Sequence, residues 1–188
     1  MNLNIGTINY TAYFKYKTPT PICGTPTHRA LKRLQTKLQA NASSIECDLG
    51  GGYHGYLGLV LNATEYATVP GTVPFVPPNF PPVLVIPPNA SHVAELQLRE
   101  DHQEERRRYF ECKNVKKALL RFIQEAVEDR FIEALVDEYT NLITLDIPAV
   151  MLHLFNTYGT VSSEEVHEKE TKIMKMTWHP TDPLVLIT

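Results

Sequence analysis

The first 45 residues contain no aspartate or glutamate, although the whole chain of 188 residues carries 21. Lys15, Lys17, Arg29, Lys32, Arg33 and Lys37 make this region +6. Residues 46–188 hold 12 basic and 21 acidic side chains, or −9, and the two parts sum to the net −3. A basic segment beside an acidic body attracts polyanions or the acidic body of a neighbouring copy. The simpler account is a solvated helix face. No apolar run approaches the roughly 18 residues needed to cross a bilayer, so no membrane span is expected. Met1 to Tyr16 lacks a basic stretch followed by an apolar core, so no secretory signal is expected either. Cysteine is scarce. Cys23, Cys47 and Cys112 are odd in number and far apart, which suits reduced thiols in a cytoplasmic protein better than a disulfide framework. Without a signal, the sequons at Asn9, Asn41, Asn62 and Asn89 are chance matches.

Patterns that carry catalysis are also missing. The seven histidines form no HExxH, and no GK[ST] is present, which excludes a P-loop. Gly50, Gly52 and Gly55 fit GxGxxG literally, but a helical pattern precedes them where a dinucleotide site needs a strand. Cys47, Asp48 and His54 have no spacing that sets a base beside a nucleophile. His153 reads as a packed or half-exposed histidine within an amphipathic helix, not as a ligand. The acids of Glu95–Glu111 interleave with arginines at helical offsets, as on a solvated ion-paired face. Arg106-Arg107-Arg108 is a compact basic cluster, but Glu104, Glu105 and Glu111 flank it. The expectation is a protein that is not an enzyme and holds no metal or cofactor.

Helical punctuation, in contrast, is abundant. Residues 1–24 read as an irregular, flexible arm, because Thr18-Pro19-Thr20-Pro21 forbids helix. A helical domain then occupies 25–188. Thr25 and Pro26 suit a helix start, and Leu31, Leu34, Leu38, Ile45 and Leu49 form one apolar stripe ending at Gly50-Gly51-Gly52. The run Tyr53–Val69 is ambiguous between strand and buried helix. Asn62 followed by Glu65 resembles a capping pair and favours helix. Eight prolines between Pro70 and Pro88 predict a long extended connection over 69–90 with polyproline character. Ser91 caps the longest helical stretch, to about Val127, as one bent helix or as two broken near Asn114. A short helix is expected over Asp129–Asp137. Asp146 and Gly159 bracket another, with Pro148 in its first turn and Ile147, Val150, Met151, Leu154, Phe155 and Tyr158 on one face. Ser162 and Glu165 predict a capping box for a helix over Ser163–Met176. Asp182-Pro183 looks like the start of a further helix with too few residues after it, so the domain is expected to be truncated at its C-terminus.

Three segments resemble the Gag proteins of Copia-type LTR retrotransposons. They are Leu49-Gly50-Gly51-Gly52-Tyr53-His54-Gly55-Tyr56-Leu57-Gly58-Leu59-Val60-Leu61, the proline-rich connection into the charged helix at Ser91, and His153-Leu154-Phe155-Asn156-Thr157-Tyr158-Gly159-Thr160-Val161-Ser162. The last is followed by the acid-rich Glu164–Met176 helix and Trp178-His179-Pro180. Together they cover roughly residues 25–184. The resemblance implies an all-α, capsid-like helical bundle, a structural protein that self-assembles into virus-like particles and packages the element's RNA. The chain departs from the full family pattern: helices after Asp182-Pro183 and a CCHC zinc knuckle are missing, as are protease, integrase and reverse transcriptase regions. A helical nucleic-acid-binding or protein-interaction module derived from a retroelement is the alternative. Arg29, Lys32, Arg33 and Lys37 are the candidate nucleic-acid contacts in either case. Expected partners are further copies of the chain and RNA, with no membrane.

Overall fold

The all-α expectation is met in a computed structural model that describes residues 8–159 and 163–177. The helices are α1 (His28–Ser43), α2 (Ala63–Ala67), α3 (His92–Ala126), α4 (Ile147–Tyr158) and α5 (Ser163–Thr177). Short 3₁₀ turns join them. Among the described residues β-pairing is limited to two isolated bridges, Ile22 with Val127 and Val136 with Ile143.

The core follows from three apolar stripes. Leu31, Leu34, Leu38 and Ala42 recur at steps of three and four along α1 and are buried. Cys112, Val115, Leu119, Leu120, Phe122, Ile123 and Ala126 do the same on the C-terminal half of α3. Ile147, Val150, Met151 and Leu154 complete the set from α4. Each stripe alone leaves an apolar face in water, so the three helices pack together. The N-terminal half of α3 has no buried residue before Cys112. Its Glu95–Arg99, Glu104–Arg107, Glu104–Arg108 and Arg107–Glu111 pairs support the helix locally. That half therefore projects as one continuous helix with no break at Asn114, capped at Ser91 Oγ by the Ala94 N–H at 3.3 Å.

Several boundaries differ from the sequence reading. α1 is capped by Thr27, whose Oγ1 accepts from Ala30 N, and Pro26 lies buried before it. It stops at Ser43, short of Ile45 and Leu49. Past that point the Ala42 carbonyl accepts from Tyr56 N at 3.0 Å as well as from Ile45 N at 3.5 Å, so the returning chain helps to satisfy the helix end. Gly55 makes this return possible. At φ +51°, a Cβ there would lie 2.2 Å from the Ile45 carbonyl oxygen. The expected helix over Asp129–Asp137 is a pair of 3₁₀ turns, Asp129–Phe131 and Glu133–Leu135. Asp137 ends them by accepting from the N–H groups of Tyr139 and Thr140 at 3.1 and 2.8 Å. Asp146 occupies the N-cap of α4 without a side-chain cap bond, because its carboxylate pairs with Lys116 of α3. Gly159 ends α4 at φ −76°. Glycine is needed there for space, since a Cβ would lie 2.6 Å from the Phe155 carbonyl oxygen. The Asn62–Glu65 capping box is present in both directions. Ser162, Trp178-His179-Pro180 and Asp182-Pro183 lie outside the described residues.

The segment read as an arm is irregular but docked over residues 8–24. Tyr10 and Phe14 are buried, and Phe14 meets the Phe122 ring edge-on at 6.1 Å. Asn41, fully buried on α1, accepts from Tyr16 N at 2.7 Å and donates to Tyr16 O at 3.0 Å. Ile22 N donates to Ala126 O at 2.7 Å, and Gly24 N to Glu128 Oε1 at 2.7 Å. The proline-rich connection contains no helix or strand from Val73 to Ile86. Phe75 packs against Tyr56 and Tyr66, Phe80 against Tyr109 and Phe110 of α3, and Pro82 O is 2.8 Å from His102 Nε2.

Candidate nucleic-acid interface

At about 100° per residue, Arg29, Lys32, Arg33 and Lys37 fall on the side of α1 opposite Leu31, Leu34 and Leu38. Burying the leucine stripe therefore turns all four cations outward. Arg29, Lys32 and Arg33 are exposed and Lys37 is half-buried. The docked segment Tyr16–Thr27 runs beside this face and closes a groove of about 870 Å³. All four sequence-predicted cations line it, and Lys172 of α5 adds a fifth. Among the described residues that line it there is no carboxylate.

Lys37 donates to Thr20 Oγ1 across the groove, and its Nζ lies 5.5 Å from the Tyr16 ring centroid, with Lys15 Nζ at 5.8 Å. These contacts tie the two walls together around an aromatic ring. Lys32 bonds to Gln35 Oε1 at 2.9 Å within α1. His28 stacks obliquely on Phe155, centroids 5.5 Å apart, and so links the groove's edge to α4. From Arg29 to Lys37 the helix rises about 12 Å at 1.5 Å per residue.

In the competing cluster Arg106-Arg107-Arg108, two of the three cations are spent on internal contacts. Arg107 sits between Glu104 at 2.7 Å and Glu111 at 2.8 Å, and Arg108 between Asp48 at 2.9 Å and Glu104 at 3.1 Å. These hydrogen bonds, Arg107's first, hold the Glu104 carboxyl down to about 2. The cavity below them, about 800 Å³, is lined by both signs of charge. Cys47 and His54 are not arranged as nucleophile and base. Burial pushes the Cys47 thiol up, its Sγ accepts from Leu49 N at 3.2 Å, and His54 Nε2 is 2.9 Å from Pro70 O. The Cys112 thiol, more deeply buried, is pushed up to about 11. The glycines of the GxGxxG match serve packing: Tyr66 donates to Gly50 O at 3.0 Å, and a Cβ on Gly50 would meet the Tyr66 hydroxyl at 2.2 Å. Among the described residues no three His, Cys, Asp or Glu side chains converge as metal ligands. None of the described helices is long and apolar enough to cross a membrane.

Sequence reasoning missed Tyr16, Thr20 and Lys172. The interleaving Lys15-Tyr16-Lys17 was a usable signal for the first. Nothing in the spacing of Thr20 or Lys172 places either beside α1. No protein-family model, curated protein or solved structure matches the chain.

Proposed function

We propose that the chain is a capsid-like structural protein of the Copia-type Gag class, cytoplasmic and non-catalytic, whose copies associate through their surfaces. The observation that carries this reading is a core closed by helix stripes that still leaves large apolar side chains outside. Val83, Tyr139 and Leu152 are 88, 92 and 60% exposed. Surfaces of this kind are covered when copies meet, and many weak contacts of one type build a closed shell. The resemblance around Gly50–Leu61 and His153–Ser162 supports the same reading. So does the order of α4, Gly159 and α5, which follows the helix-glycine-helix pattern of that resemblance. Light scattering over a range of protein and salt concentrations tests it. The mean mass is expected to climb with concentration. A strictly monomeric species at high concentration and at every salt level overturns the proposal.

The groove lined by Arg29, Lys32, Arg33, Lys37 and Lys172 favours a second reading, in which the same chain binds RNA through phosphate contacts. Single-stranded RNA titrated at increasing salt is expected to show a log–log slope of up to about −3.5 if five cations each neutralise one phosphate. Absence of measurable affinity at low salt removes this reading and leaves the first intact.

A further inference from the structure

Between Glu65 and Glu95 lie 29 residues without a single Asp, Glu, Lys or Arg, the longest uncharged stretch of the chain. This stretch contains the proline-rich strap, which is held against α3 at Phe80 and Pro82. Beyond those anchors the four residues Val83–Ile86 run between Pro81-Pro82 and Pro87-Pro88. Val83 and Val85 are 88 and 79% exposed, whereas Leu84 and Ile86 are half-buried. That alternation is the period of two of a strand covered on one face. None of the backbone N–H groups from Phe75 to Ile86 donates to a described residue.

An extended, apolar run with unpaired backbone donors and acceptors is a sheet edge without a neighbour. We propose that Val83–Ile86 pairs edge to edge with the same segment of a second copy, forming a short intermolecular antiparallel ladder. This rests on the self-association reading and names the surface that performs it. A second copy is the occupant for two reasons. A strand edge is satisfied by another strand edge, and every copy brings one of identical length and register. The uncharged stretch also lets two copies approach without like-charge repulsion, which residues 46–188, at −9, otherwise impose. Val76, Phe80, Val93 and Leu96, near the segment in sequence, are exposed as well. The flanking prolines, which have no N–H, limit pairing to four residues. The contact is therefore weak singly, as suits an assembly built from many reversible contacts.

Two variants of the full chain test this by light scattering, with circular dichroism confirming helix content. Val83→Lys/Val85→Lys places four lysines at one ladder and is expected to raise the concentration for half-association about tenfold or more. Val85→Pro keeps an apolar side chain but removes one ladder donor, and its N–H has no partner to lose within the described structure. It too is expected to weaken association. If the wild type associates and both folded variants associate equally well, the strap is not the interface, and the assembly reading survives. If only the lysine variant dissociates, the patch acts by apolar contact and the ladder is wrong. If the wild type never associates, both this inference and the assembly reading fall.

Discussion

Replacing Asn41 with alanine tests the linchpin of the basic groove. Asn41 is fully buried on α1, and its carboxamide closes a two-point bond with the backbone of Tyr16, at 2.7 and 3.0 Å. These two bonds connect positions 25 residues apart and hold the start of the groove's outer wall against α1. Each hydrogen bond contributes about 0.5–1.5 kcal/mol net. Tyr16 sits at the surface, 37% exposed, so water can partly re-solvate its freed N–H and C=O. The estimate for Asn41→Ala is therefore about 1–3 kcal/mol, which for a chain of this size is roughly 2–12 °C in Tm. Urea denaturation read by circular dichroism gives the stability change, and RNA titration gives the groove's integrity. Stability should fall, and RNA affinity should fall with it because the wall carrying Thr20 loses its anchor. Asn41→Asp keeps the acceptor for Tyr16 N but loses the donor and buries a charge, so it should cost at least as much. Stability within about 0.5 kcal/mol of wild type for Asn41→Ala would show that the segment docks without this bond and would refute the reasoning.

Further consequences concern glycine, core, acid and thiol positions. Gly55→Ala and Gly24→Ala both force alanine into positive φ, at +51° and +73°. Only Gly55 would drive its Cβ into backbone, 2.2 Å from Ile45 O, while Gly24 has open space. Gly24→Ala should cost about 1–2 kcal/mol and Gly55→Ala clearly more, and equal denaturation midpoints would contradict the packing. Leu119→Ala removes a fully buried side chain at the centre of the α1–α3–α4 core, with an expected loss of about 2–5 kcal/mol. The Arg107 and Arg108 contacts lower the Glu104 carboxyl from 4.5 to about 2. Their stabilisation is thus present above pH 4.5 and disappears as pH falls through about 2, which carboxyl NMR titration can follow. Burial raises the Cys112 thiol from 9.0 to about 11. Its contribution to stability is full below pH 9 and is lost as pH rises towards 11. At neutral pH an alkylating agent should label exposed Cys23 well before buried Cys112; equal rates by mass spectrometry would exclude the buried placement.

Much of the helical plan was legible because its signals are local. Ser91, the Asn62–Glu65 box and the Asp146–Gly159 bracket act within one or two helical turns, and each marks a helix end in the structure. Four of the groove's five cations were also legible, since helical periodicity alone sets them opposite the leucines of α1. Other readings failed where a distant partner decided the outcome. α1 stops at Ser43, where Tyr56 N meets the Ala42 carbonyl, and Asp146 leaves its cap for Lys116 of α3. Neither partner has a fixed sequence offset that spacing could reveal.

Apolar periodicity and capping chemistry, read along the chain, determined that this protein is helical and which face of each long helix turns inward. Such preferences are properties of neighbouring residues and need no tertiary contact. Only the tertiary structure decided that residues 8–24 are a wall and not a loose arm, and that Lys172 joins the α1 cations. It also decided that Val83–Ile86 runs as an unpaired edge. Those outcomes depend on chain segments meeting in space, through groups such as Asn41, Ala126 and His102, whose partners lie about 20 to 100 residues away.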